Sequence, residues 1–416
     1  MSQLSRSLQI IIICLLGYSS VILGEDEPGE FRWSGFATIG VTDSGNDVIG
    51  FRRDNSRYGN FGDLDYKTDS LIGFQANYQI SDKFSTAAQF VYKSRPENNL
   101  EHSLEWLYLQ YSYSDDLAIR AGRLGTDLFM LSEYRNIGFA YDWVRPPIEF
   151  YGSLALDSFD GFDVSYTDHL HESLMRYKFF SGQSKQTFPS VVGDSENDFE
   201  DIIGFSVAWE DEHWTVRSVI QNTTFGNNLS TFEPLTAALL SIPSFVWPEL
   251  SELASDLESK GREMRFYSLG ISYDKTPWKV QSEVGYISSG YEAAFPDLLS
   301  AYFSVGRRFE LFTLYGIVAK AESDDAMAPP PEPSGGNNTA LVGLFFGIQQ
   351  YTQQIEKNQR SVSLGLRFDV ATNVAFKIQW DRNWIDPYGA ALWDLRGTNP
   401  NSELIDTVSI NLDFVF

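Results

Sequence analysis

Arg120, Arg123, Asp127, Glu133, Arg135, Asp142, Arg145 and Glu149 fall in one stretch of chain, interleaved with Phe129, Tyr134, Phe139, Tyr141, Trp143, Phe150 and Tyr151. Charges of both signs at this density can orient water and polar solutes across a narrow gap, a task in which no bond is made or broken. Acid–base or nucleophilic chemistry would ask instead for a histidine beside a Ser, Asn or Asp. The histidines are His102, His169, His171 and His213. His169 and His171 stand two apart without a third ligand, which is turn composition more often than a metal site. His102 sits beside Glu101 and Glu105 with no partnered nucleophile. These residues predict neither an enzyme nor a metal or cofactor.

The elements that must position the charged stretch read as strands. In the last segment Val408, Ile410, Leu412, Phe414 and Phe416 alternate with Ser409, Asn411 and Asp413, so an extended chain has one apolar and one polar face. The same alternation predicts strands over Phe31–Thr42, Thr68–Ile80 and Phe84–Lys93. Short turns are expected at Ser114–Asp116, Thr167–Ser173, Glu210–His213, Asp274–Pro277, Arg308–Leu311 and Ala371–Asn373. Longer connections are expected at Asp43–Tyr66, Ser181–Phe199, Thr223–Arg262, Ser288–Pro296, Ala321–Asn358 and Arg382–Asn401. Segments of about ten alternating residues, short turns at one end and long loops at the other are the signature of a transmembrane antiparallel β-barrel, here all-β with about 16 strands. Trp209, Trp214, Tyr273, Trp278, Tyr111 and Tyr113 gather at the short-turn end, as an interfacial aromatic girdle does.

The connection Gly125–Gly152, after the fifth strand, is too apolar for a solvated loop. In a wide barrel it buries its aromatic residues by folding inward against the wall, which predicts a constriction. Inward-facing candidates opposite it are Arg120, Arg176, Lys178, Arg217, Lys279 and Glu283. Arg145 either faces the lumen or pairs with Glu149 at the loop base, and Glu133 and Arg135 are close enough to neutralise each other. Pro234–Ser259, interrupted by Pro243 and Pro248, and Thr339–Gln354, after the Pro/Gly/Asn-rich Ala328–Asn338, read as partly helical loops. The second either tucks into the barrel mouth, packs on a neighbouring subunit, or covers the loop cluster.

The segments AGRLGTDLFMLSEY…GFAYDWVRPPIEFYG and QRSVSLGLRFDVATNVAFKIQWDR (Gln359–Arg382), with the terminal strand, resemble those of Gram-negative outer-membrane porins of the sixteen-stranded type. The resemblance implies a water-filled channel for passive diffusion of small hydrophilic solutes and ions, with Gly125–Gly152 in the place of the third loop that narrows the pore. It also implies a homotrimer in outer-membrane lipid and lipopolysaccharide. Phe414 and Phe416 would form the terminal signal read by the barrel assembly machinery. The alternative is a surface receptor or adhesin barrel with a closed or minor pore.

Composition agrees with both readings. A net charge of −25 over 416 residues argues against nucleic acid, whose binding needs a basic footprint. Arg6 followed by the apolar Leu8–Tyr18 and by Ser19, Ser20 and Gly24 reads as a signal peptide over 1–24, leaving 25–416 as the barrel. Cys14, inside that apolar run, is the one cysteine, so the mature chain would have no disulfide. Distant loop acids are hidden from the constriction by a screening length of about 8 Å. Within it Asp127, Glu133, Asp142 and Glu149 outnumber Arg135 and Arg145 while Arg120 and other wall cations push the opposite way, so the expectation is weak cation preference at low salt.

Overall fold

The computed structural model describes residues 28–416 apart from 63, 98, 155, 190–192, 291–294, 325–330, 332–338, 353–354 and 396–401. The signal-peptide segment and most of Ala328–Asn338 therefore lie outside the described residues. The first eight strands are β1 (Phe31–Asp43), β2 (Leu71–Ser81), β3 (Phe84–Lys93), β4 (Leu104–Ser112), β5 (Leu117–Gly125), β6 (Ser158–Leu170), β7 (Ser173–Phe188) and β8 (Ser195–Glu210). They continue as β9 (Trp214–Phe225), β10 (Glu263–Lys275), β11 (Trp278–Ser288), β12 (Leu298–Arg308), β13 (Thr313–Ser323), β14 (Lys357–Ala371), β15 (Val374–Ala390) and β16 (Glu403–Val415). Each pairs antiparallel with its sequence neighbours, and β1 pairs with β16 to close the barrel. Closure leaves no unpaired strand edge, the condition for crossing a bilayer with strands.

The seam shows how sequence sets the register. Phe36 lies opposite Val415 and Asp43 opposite Val408. Beyond β16, Phe416 exchanges backbone hydrogen bonds with Gly35 (2.7 and 2.9 Å). Its ring meets Trp33 and Phe74 edge-on at centroid distances of 6.4 and 5.9 Å. A Cβ at residue 35 would run into that ring, so the seam takes a glycine there. Along β16 Leu404, Val408 and Ile410 are exposed on the outer face, whereas Thr407, Ser409, Asn411 and Asp413 are buried on the inner one. The outer face is apolar all round the barrel, with Phe74, Phe90, Leu109, Phe162, Phe205, Leu269, Phe303, Val318 and Leu364 exposed on nine further strands. An apolar outside around a polar inside is the inverse of a soluble protein and fits lipid.

Strand runs on into two predicted connections. β7 runs on to Phe188 and β8 starts at Ser195, with Ser184 opposite Phe199. β15 likewise runs to Ala390. Past the apolar band both faces of a strand meet water, so alternation disappears from the sequence while the hydrogen-bonded ladder continues. The loop helices form at Glu233–Leu240, Glu249–Asp256 and Thr339–Thr352. Leu341 and Ile348 of the last bury themselves in one core with Trp247, Leu250 and Leu253, so this helix covers the loop cluster.

Candidate functional site

Residues between β5 and β6 run over the inner wall, held by polar side chains that the barrel's alternation points inward. Asp127 ion-pairs with Arg217 of β9 and lies 3.3 Å from Lys178 Nζ of β7, while Ser206 of β8 donates to it at 2.8 Å. The Met130 amide donates to Glu283 Oε2 of β11 at 2.9 Å, and the Tyr151 hydroxyl donates to Oε1. Lys93 of β3 donates to Asn136 (3.4 Å). Ile137 and Phe139 pack with Phe36, Leu71 and Val91 of β1, β2 and β3. Lys377 of β15 donates to the Gly138 and Trp143 carbonyls at 2.6 and 2.7 Å and pairs with Asp413 at 3.0 Å. A Cβ at residue 138 would collide with Asp413 and Thr38, so only glycine lets the loop approach the wall this closely. Trp143 Nε1 donates to Ser304 of β12 (2.8 Å), and Asn411 of β16 donates to the Val144 carbonyl (3.0 Å). The aromatic residues are buried between these anchors: Trp143, Phe150 and Tyr151 pack around Tyr302 with centroids 5.5–6.0 Å away.

Several charged residues have partners other than those expected. Arg145, buried at 3% exposure, forks onto Asp69 of the β1–β2 connection (2.6 Å) and reaches Asp381 of β15 (3.3 Å). It also donates to Thr42 and Ser409, and its guanidinium lies 4.8 Å from the Phe51 ring centroid. Its carboxylate partners are Asp69 and Asp381, and Glu149 is not one of them. Burial works against this cation, yet Asp69 and Asp381 raise its pKa above the ordinary arginine value. Asp69 is held low: burial opposes ionisation, and Arg145 outweighs it. Glu133 and Arg135 do not neutralise each other either. Glu133 reaches Lys178 (3.3 Å), and Arg135 pairs with Asp157. Asp142 lies between Lys279 (3.9 Å) and Arg367 (3.8 Å).

Arg123 leaves the site altogether. Arg120 points inward and pairs with buried Asp163 at 2.5 Å. Three residues on, strand parity puts Arg123 on the other face, where it pairs with the half-exposed Asp160 at 2.8 Å. Of the predicted wall partners, Lys178, Arg217, Lys279 and Glu283 meet the loop, whereas Arg176 pairs with Glu210 at the end of β8 (3.5 Å). His102 Nδ1 lies 2.8 Å from Asn99 Oδ1, and His169 Nε2 lies 3.2 Å from Asp116.

Sequence reasoning missed the β1–β2 connection, which reads as polar and solvated. Ile49 and Phe51 are buried with the aromatic residues of the β5–β6 loop. Arg53 donates to the Arg135 carbonyl at 2.9 Å, and the Asn55 amide donates to the Gly152 carbonyl at 3.0 Å. The available signal was the run Ile49-Gly-Phe-Arg-Arg, two apolar residues and two arginines in an acidic loop.

Glu149 stands apart because its carboxylate has no cation against it among the described residues. It is 1% exposed and accepts from Gln359 Nε2 at 2.8 Å. Burial is the largest influence and raises its pKa; hydrogen bonds from Gln359 and Ser361 only partly offset this. A raised folded-state value means that docking costs nothing extra in acid. The penalty grows as pH rises from the unfolded value through the folded one. Glu149→Gln removes the charge and keeps the acceptor. We expect its melting midpoint near neutral pH to exceed wild type by roughly 2 °C, with the gap closing below the ordinary glutamate range. A lower midpoint at neutral pH would mean that the carboxylate charge is needed.

No protein-family model and no curated protein matches the sequence. Solved structures do match in fold. The outer-membrane channel DcaP of Acinetobacter baumannii has 9% identity and a TM-score of 0.54, over 95% of this chain and 100% of that one. Salmonella typhi OmpF in complex with daunomycin has 9% identity and a TM-score of 0.53, over 93% and 98%. The anion-selective porin from Comamonas acidovorans has 10% identity and a TM-score of 0.50, over 93% and 100%. At such identities the likeness is one of architecture: this chain has the closed antiparallel barrel of Gram-negative outer-membrane porins.

Proposed function

We propose that the protein is an outer-membrane porin that passes small hydrophilic solutes and ions by diffusion through a narrow, charge-lined strip of its lumen. The long connections would face outward, and the mature chain would follow a signal peptide, assemble through the barrel machinery and trimerise in lipid and lipopolysaccharide. One observation carries this reading. The inward loop leans on β7 to β16 and on β1 to β3 but, among the described residues, not on the middle of β4 to β6, and partly exposed charges border the side it leaves open. Arg120 retains 18% side-chain exposure, Glu133 20%, Arg135 13% and Asp157 14%. Asp142, Arg145 and Glu149 are buried behind the loop and would hold it in place without meeting solute.

The strip pairs Arg120 with Asp163, Lys178 with Glu133 and Arg135 with Asp157. Balanced pairs leave little net field, so ionic selectivity should be weak. Asp127, Glu133 and Asp142 each face a wall cation and Glu149 is buried, so the loop carboxylates do not tip it toward cations. A second reading, a closed receptor barrel, draws on the ion cluster that crosses the strip: Lys93 contacts Glu105 (3.0 Å) and Asp157 (2.7 Å), and Arg95 contacts the same two carboxylates. Planar-bilayer recording of the refolded protein separates the two. A porin gives discrete conductance steps and a reversal potential near zero under a salt gradient; a bilayer that stays silent at high protein load would leave the receptor.

A further inference from the structure

A cavity of ≈ 90 Å³ opens at the long-loop end of β4 to β7, directly above that ion cluster. Its charges are sorted by depth. At the rim stand Glu97, Glu101 and Asp160, with Glu97 and Asp160 about half exposed. At the floor lie Arg95, Glu105 and Asp157, with Arg95 8% and Glu105 5% exposed. Lys93 and Arg135 back the floor, so three cations share two carboxylates there. At the rim three carboxylates face two cations that already have partners: Arg123 is committed to Asp160 and to the Glu101 carbonyl (2.9 Å), and Lys185 to Glu196 (3.6 Å) and Asp198 (3.4 Å). The cavity is thus negative at its mouth and positive at its base.

From this sorting we propose that the cavity binds a small zwitterion, an α-amino acid or dipeptide, carboxylate down against Arg95 and ammonium up between Glu97 and Glu101. A simple anion meets the acidic rim unaided, and a simple cation meets the basic floor; only a solute carrying both charges satisfies both levels. Such electrostatic complementarity sets specificity more than raw affinity. The proposal rests on the channel reading for its purpose. A bound carboxylate competes with Glu105 and Asp157 for Arg95, and it thereby loosens the bridge across the strip. The site would both select the solute and admit it.

The test is titration calorimetry on the folded barrel in detergent at neutral pH. Diglycine is the probe, with N-acetylglycine lacking the ammonium, glycinamide lacking the carboxylate, and glycerol lacking both. Diglycine should bind at least tenfold more tightly than each of the other three. The double variant Glu97→Gln/Glu101→Gln, altered only at the cavity rim, should bind diglycine about fivefold more weakly and leave glycerol unchanged. Arg95→Gln should lose diglycine binding as well; because that change strips a buried bridge, heat-modifiable migration is checked first, and the rim variant decides if the barrel is lost. Equal binding of diglycine, N-acetylglycinate and glycinamide, or a rim variant that binds like wild type, overturns the site. Calorimetry needs no bilayer. A barrel that binds diglycine but does not conduct sinks the channel reading alone, and one that conducts but ignores diglycine sinks the site alone.

Discussion

Arg145→Ala should undock the inner loop. The guanidinium satisfies Asp69, Asp381, Thr42 and Ser409 together, joining the loop to β1, β15, β16 and the first connection. Replacing it leaves Asp69 and Asp381 buried without their shared cation, and breaking a buried pair in this way costs on the order of 3–5 kcal/mol. The barrel ladder does not pass through Arg145, so the variant should fold and remain heat-modifiable. Its single-channel conductance should be larger and noisier than that of wild type, and a protease added from the long-loop side should cleave between residues 126 and 151. Arg145→Lys should rescue it only in part, since an ammonium cannot fork onto one carboxylate while reaching a second. The depressed Asp69 carboxyl adds a pH signature: this contribution holds at neutral pH and is lost as pH falls through its folded value. Wild-type current should therefore drift toward that of the variant in strong acid. An Arg145→Ala channel with unchanged conductance and protease resistance would show that the loop is held by its aromatic packing alone.

The barrel was legible because lipid imposes a rule that each strand must obey by itself. Val408, Ile410 and Leu412 against Ser409, Asn411 and Asp413 announce two faces without reference to any partner strand. Turn residues such as Ser114–Asp116 and Glu210–His213 then fix where each hairpin ends. Where that rule lapses, so does the signal. Ser181–Phe188 is polar on both faces and read as loop, although Lys185 pairs in register with Asp198.

The site was legible only in outline. Aromatic density from Phe129 to Tyr151 marked the loop as buried, and the wall residues Lys178, Arg217, Lys279 and Glu283 followed from strand parity. The same parity already set Arg123 apart from Arg120, so grouping them ignored information in hand. The pairings themselves were out of reach. Arg145 finds Asp69 76 positions before it and Asp381 236 positions after it, and the Glu149 four residues away is closer in sequence but lies in the short helix Ile148–Tyr151, against β14. Local spacing predicts partners within a strand or helix; a loop lying across a closed barrel takes its partners from the whole circumference. Polar composition also concealed Ile49 and Phe51, because two apolar residues in a charged loop look incidental until a second loop covers them.

Excising the loop should have the largest effect on the channel. Replacing residues 127–150 with a short Gly/Ser linker, with Gly125 and Ser153 kept, removes the side chains that pack against the inner wall and leaves every β ladder intact. A barrel of this strand number has an interior wide enough for water once no loop occupies it. Inner-wall residues such as Ser206, Gln281, Ser304 and Gln379 are polar and would be solvated at little cost. Tyr302, Tyr315 and Phe266 would lose apolar cover at roughly 25 cal/mol per Å² newly exposed to water, so the melting midpoint should fall. Conductance should rise several-fold, and liposomes containing the variant should swell in sugars too large for wild type. The first connection would lose Arg135 and Tyr141 as partners for Arg53, which adds to the opening. An unaltered conductance and size limit would mean that the passage runs elsewhere or is closed by the long-loop helices. In that case deleting Glu249–Asp256 or Thr339–Thr352, rather than the inner loop, would be the change that opens it.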